Sequence, residues 1–188
     1  QQSLLGRFTK IEVVPLLDEE ATKANILLAL ERLSGLAPTE LPQGAPSQLG
    51  KLEPAQPEDT VVVYFAGHGL ANKAQFYILP HDLGYQGSRR RLNLAGLQTI
   101  LSHSISDREL EQSFEKLQAG QILLVLDACN SGQALEAEEK RRGPMNSKGL
   151  AQLAYEKGMY ILTAAQSYQA ALEVAELGHG LLTYALVE

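Results

Sequence analysis

The sequence holds a single cysteine, Cys129, and no tryptophan among its 188 residues. One thiol excludes an intrachain disulfide framework and any zinc site built on several cysteines. Long apolar runs are missing as well: none approaches the roughly 20 residues that a membrane-crossing helix needs. The opening QQSLLGRF lacks the basic-then-apolar pattern of a secretory signal. Basic charge is in short supply, with 16 Lys plus Arg against 22 Asp plus Glu and a net charge of −6. That balance argues against nucleic-acid and anionic-membrane partners, which draw a basic face. A cytoplasmic, reducing location is the default for such a chain, and Cys129 becomes the residue to explain.

What is present reads as one soluble globular domain over residues 1–188, with 45% hydrophobic and 20% charged residues. A chain of this length can bury a core without staples. Three short apolar runs dominate it: 60–66 (TVVVYFA), 122–126 (ILLVL) and 159–165 (MYILTAA). Each is rich in β-branched or aromatic residues and stops at a turn signal, as strands of a parallel sheet covered on both faces do. A fourth run, 11–17 (IEVVPLL), is broken by Pro15 and suits an edge strand or a bulge. Between the runs lie helical patterns. After Asp18, Ile26, Leu30 and Leu33 share a face that ends at Gly35. Ser106 and Glu109 form a capping box ahead of Leu110, Phe114 and Leu117. Residues 149–157 and 181–187 are shorter candidates. Alternating strands and helices predict an α/β fold, a mostly parallel sheet with helices on both faces. Three segments fit no regular element: 34–59, a surface insertion holding five of the eight prolines; 83–106, with Arg89, Arg90 and Arg91; and 133–148, a charged loop.

The chemistry gathers where two strands end. The run 60–66 leads into Gly67-His68-Gly69, and 122–126 into Asp127-Ala128-Cys129-Asn130-Ser131-Gly132. Sites in open α/β sheets collect at the carboxyl ends of strands, so one sheet edge can hold both His68 and Cys129. A cysteine nucleophile needs thiolate character and a base, which an imidazole supplies at neutral pH. The glycines flanking His68 let the backbone turn and a substrate approach. The Gly69 and Cys129 N–H groups can then face a developing oxyanion. Plainer readings stand beside this one: a lone cysteine is commonly an inert core residue, and a lone histidine before glycine a turn residue.

VVVYFAGHG followed by LLVLDACNSG resembles the caspase-like cysteine peptidases, in particular the bacterial metacaspase and orthocaspase branch. PLLDEEATKANILLAL, FYILPHDL and GLLTYALVE are similar to the same family, so the likeness covers most of the chain. The resemblance implies a cysteine endopeptidase, with His68 as general base and Cys129 as nucleophile. It further implies that Asp127, two residues before the cysteine, lines the primary pocket and selects Arg or Lys. The competing reading of Asp127 is a carboxylate capping local backbone N–H groups. Where the branch often carries a serine, this chain has Ala66, which removes a pocket hydrogen bond. Gln169 and Glu173 match positions flanking the family's substrate channel, and Glu173 reads equally well as a solvated carboxylate.

The loop 133–148 lies where the family separates its large and small parts. With a pocket selecting basic residues, Lys140, Arg141, Arg142 and Lys148 are candidate self-cleavage points, and Arg89–Arg91 a second set; the plain alternative is a solvated linker. Asp82 matches a recurrent family position that orders the site or contributes to a regulatory calcium site. No dense acidic loop can be assembled for calcium, so neither metal nor other cofactor is expected. His81, His103 and His179 lack ligand spacing. The family opens with a strand and a helix ahead of the segment matching 11–17, and neither is visible here. The chain is therefore expected to be part of a larger protein, partnered by a protein or peptide substrate and by further domains or subunits. Two competing functions remain: a catalytically silent caspase-like regulatory or interaction domain, and another thiol hydrolase such as an amidase.

Overall fold

The structure, a computed structural model, describes residues 8–72, 75–87, 92–130 and 148–163. Among the described residues five strands form one sheet: β1 (Thr60–Asn72), β2 (Gln75–Leu79), β3 (Ile105–Ser106), β4 (Gln121–Asn130) and β5 (Tyr160–Thr163). Their order is β3-β2-β1-β4-β5. β1, β4 and β5 run parallel, and β2 and β3 extend the sheet antiparallel on the β1 side. The sheet is thus mixed around a parallel centre, and the described residues hold four helices: α1 (Lys23–Leu33), α2 (Leu94–His103), α3 (Asp107–Glu115) and α4 (Lys148–Lys157).

One core sits on one face of this sheet. Alternation turns Val61, Val63 and Phe65 of β1 and Ile122, Leu124 and Leu126 of β4 toward it. Phe76 and Ile78 of β2 join them, packed under Leu30 of α1 and Leu110 and Phe114 of α3. The expected capping box forms: the Ser106 hydroxyl accepts from the Glu109 N–H, and the Glu109 carboxylate accepts from the Ser106 N–H at 2.9 Å. Leu110, Phe114 and Leu117 are all buried, as their spacing predicts. On the opposite face Val62 and Tyr64 are 58% and 47% exposed among the described residues, and Tyr160 and Leu162 beside them are also exposed. The helix candidate 181–187 lies outside the described residues.

Several expectations need correction. The run 11–17 joins no strand; Val13 and Leu17 are exposed, and Pro15 removes a donor that an edge ladder would need. Helix α1 begins at Lys23 rather than after Asp18, because Thr22 caps it by accepting from the Asn25 N–H. Segment 83–106 is not irregular throughout: it contains α2, capped by Asn93, and β3. The proline-rich segment 34–59 is tied down at Leu49, fully buried in a 3-10 turn (Ser47–Lys51), and at Ala55, whose N–H donates to the Leu33 carbonyl. No helix among the described residues is long and apolar enough to cross a membrane.

Three helices meet at one side chain. The Lys23 ammonium donates to the Ser104 carbonyl just past α2 at 2.8 Å and pairs with Glu109 of α3 at 2.8 Å. Burial pushes the Glu109 carboxyl up, but the hydrogen bonds from Lys23 and Ser106 and the Lys23 charge outweigh it, leaving the group below its ordinary range. A carboxyl lowered in the folded state stabilises the fold above its unfolded value of about 4.3, and that contribution fades as pH falls through the lowered value. Glu109→Gln is therefore expected to be less stable than the parent at pH 7, with the gap closing below about pH 4. Urea unfolding at pH 7 and pH 3 checks this; an equal gap at both would contradict it.

Candidate active site

The candidate positions alternate with those that feed the core, and the β1–β4 register decides which of them are neighbours. In that parallel ladder Ala66 pairs with Asp127, and His68 pairs with Cys129. Strand neighbours lie about 4.8 Å apart, and residues two apart along a strand about 6.6 Å. Positions 66, 68, 127 and 129 therefore form a compact quadrilateral on one face. His68 is exposed to solvent, as is Ala66, whereas Asp127 is only 9% exposed. His68 from one stretch of sequence and positions 127 and 129 from another are thus brought side by side.

The strands differ from expectation in one respect that matters here. β1 continues through His68 to Asn72, and β4 through Cys129 to Asn130, so both residues lie inside strands rather than past their ends. Consequently the glycines beside His68 do not turn the chain. Gly67 remains extended, and its missing Cβ leaves room for the Phe65 ring, which a Cβ would meet at 3.0 Å. Gly69 is buried, with β2 on one side at Ile78 and β4 on the other at Asn130. Its N–H therefore lies in the plane of the sheet. Beyond Leu126, which faces Thr163, β4 has β1 on one side and no described strand on the other.

The antiparallel partner of β1 completes the surroundings. Leu79 of β2 pairs with His68 on the side away from Cys129, and Tyr77 pairs with Leu70. The Tyr77 hydroxyl donates to Gln75 Oε1 at 2.9 Å. Burial, then the charges of Asp107 and Glu109, push that hydroxyl above its ordinary value, so it stays a neutral donor. Sequence reasoning did not single out β2 as a strand. It is five residues long, and the two residues linking it to β1, Lys73 and Ala74, carry none of the Asn-Gly or Asp-Gly character that marks a tight hairpin.

Other candidates fall elsewhere. Asp82 accepts at 2.8 Å from the Lys23 N–H, so it caps the first turn of α1. His103 Nδ1 lies 2.9 Å from the Thr99 carbonyl on its own helix, and His81 is exposed, its N–H donating to Ala21. Lys148 is the first residue of α4. Gln169, Glu173, His179, Lys140, Arg141, Arg142 and the triplet Arg89–Arg91 lie outside the described residues. Among the described residues no three His, Cys, Asp or Glu side chains gather as a metal site would need.

Comparison with curated proteins and with solved structures gives no match. A family model does match: that of the caspase domain, over residues 45–188, a span that includes all five strands and both halves of the quadrilateral. With that much of its length matched, the chain belongs to the caspase domain family of cysteine peptidases.

Proposed function

We propose that the protein is a cysteine endopeptidase that cuts after Arg or Lys with a Cys129–His68 dyad. The observation that carries this reading is the register placing His68 opposite Cys129 and Ala66 opposite Asp127 on one sheet face. His68 takes the thiol proton, and the Cys129 thiolate attacks the scissile carbonyl. The tetrahedral intermediate collapses to a thioester as His68 delivers the proton to the leaving amine. Water, activated by the same imidazole, then hydrolyses the thioester and restores the thiol. This chemistry calls for no metal or organic cofactor, and a reducing cytoplasm suits a nucleophilic thiol.

Asp127 provides the specificity. It is almost fully buried, and a carboxylate withdrawn from water strengthens its pairing with a guanidinium or ammonium. Ala66 opposite it contributes no polar atom, which leaves the charge of Asp127 to discriminate. The Gly69 and Cys129 N–H groups are the proposed oxyanion donors. Because Gly69 is enclosed by β2 and β4, its use in that role requires the upper end of the ladder to part when substrate enters. Gln169 and Glu173 are assigned to the channel, and further domains or subunits to the larger assembly, on family likeness. Lys140, Arg141 and Arg142 are the proposed self-cleavage points; Lys148 would first require the head of α4 to unwind.

A fluorogenic peptide ending in Arg is expected to be cleaved, and Cys129→Ala to lower the rate at least about a thousandfold. Cleavage only after Asp, or undiminished cleavage in the variant, would sink the peptidase assignment. Asp127→Asn is expected to lower kcat/KM for Arg peptides by about 10- to 100-fold, the worth of one charged hydrogen bond. An unchanged Arg and Lys preference would remove Asp127 from the pocket. Intact mass spectrometry after incubation should show fragments from the active protein and none from Cys129→Ala. Identical masses in the two samples would refute self-processing.

A further inference from the structure

His68 has two neighbours across the sheet, and they differ in kind. On one side stands Cys129, and on the other Leu79, a half-buried aliphatic side chain directly opposite in the antiparallel ladder. The two ladders put positions 79, 68 and 129 in one row across three strands, at alternate positions to those that feed the core. The next row in the direction of β1 holds Leu70 and Tyr77, and the one after it Asn72 and Gln75. None of these five side chains carries a charge at neutral pH.

This row has a direction set by chemistry. In amide cleavage by a thiol, the acyl carbon bonds to sulfur while the imidazole hands its proton to the departing nitrogen. The acyl half of the substrate therefore lies over Cys129 and Asp127 on β4, and the leaving half lies on the far side of His68. An extended peptide advances about 3.3 Å per residue, and the strands are about 4.8 Å apart. Leu79 stands two strand spacings, about 9.6 Å, from Cys129, so the first residue after the cut lies over β1 at His68 and its side chain reaches across toward Leu79 on β2.

We infer that Leu79, flanked by Leu70 and Tyr77, forms the subsite for the residue that follows the scissile bond and selects an apolar side chain there. The inference rests on the peptidase reading and extends it: the preferred substrate pairs a basic residue before the cut with an aliphatic or aromatic one after it. The two preferences come from opposite sides of His68 and from different strands, so they are separable by mutation. An apolar subsite discriminates modestly, because one methylene in such a pocket is worth about 10- to 200-fold at most.

The test is a peptide library with Arg fixed before the cut and the following residue varied, its products identified by mass spectrometry. The parent protein is expected to favour Leu, Ile and Phe over Asp, Glu and Lys by about tenfold. Leu79→Ala should flatten that preference, and Leu79→Glu should turn it toward Lys and Arg, with the demand for Arg or Lys before the cut retained in both. Asp127→Asn should do the reverse. Cleavage after Arg with no preference in the parent protein overturns this inference and leaves the peptidase reading standing. An apolar preference that survives in Leu79→Glu also overturns it. If no member of the library is cut by the parent protein, the peptidase reading fails and takes the subsite with it.

Discussion

Everything at the site depends on the ladder between β1 and β4. Ten consecutive residue pairs, from Thr60 with Gln121 to Gly69 with Asn130, hold these strands in a single register. The apolar core enforces it. Val61, Ile122, Leu124 and Leu126 are all buried on one face, each worth about 1.5–3 kcal/mol by its removal from water. A slip of one residue would turn three of those side chains outward and carry Cys129 away from the face of His68. Chemistry on one side of the sheet is thus positioned by hydrophobic burial on the other.

A second set of contacts keeps the antiparallel flank in place. β2 is short, and the two residues of β3 pair with its outer side. The buried Asp107 carboxylate at the start of α3 accepts from the Phe76 N–H and clamps β2 to that helix. Lys23 then draws α1, the end of α2 and the start of α3 together, with Asp82 holding the first turn of α1. Position 82, whose family likeness suggested a role at the site, works here as part of that scaffold. At the other end of the core, Lys157 of α4 donates to the carbonyls of Glu115 and Leu117, closing α4 onto α3.

The parallel centre was legible in the sequence because buried strands leave a strong mark. Runs such as VVVYF and ILLVL have little other use, and the capping box at Ser106 and Glu109 signalled α3 with its buried Leu110 and Phe114. His68 and Cys129 were found because each follows such a run, yet their enclosure within the strands was not foreseen. Glycine reads as a turn when only local preference is consulted, while here pairing keeps both extended, Gly67 opposite Ala128 of β4 and Gly69 between Ile78 of β2 and Asn130 of β4. α2 and the hairpin of β2 were missed for the converse reason. Their signals are brief and set among Gly, Ser and Arg residues, and it is tertiary pairing that gives them shape. Leu79 owes its place beside His68 entirely to that pairing.

Gly67 carries a consequence for how variants of this protein are interpreted. The Phe65 ring occupies the space that a side chain at position 67 would claim, and His68 is the very next residue. A methyl group added at 67 requires the Phe65 ring to give by a few tenths of an ångström, and whatever the ring does not yield is taken up by the strand, one peptide unit from the imidazole. Damage that begins as a packing fault would then surface at His68, in a protein still folded and with position 129 untouched.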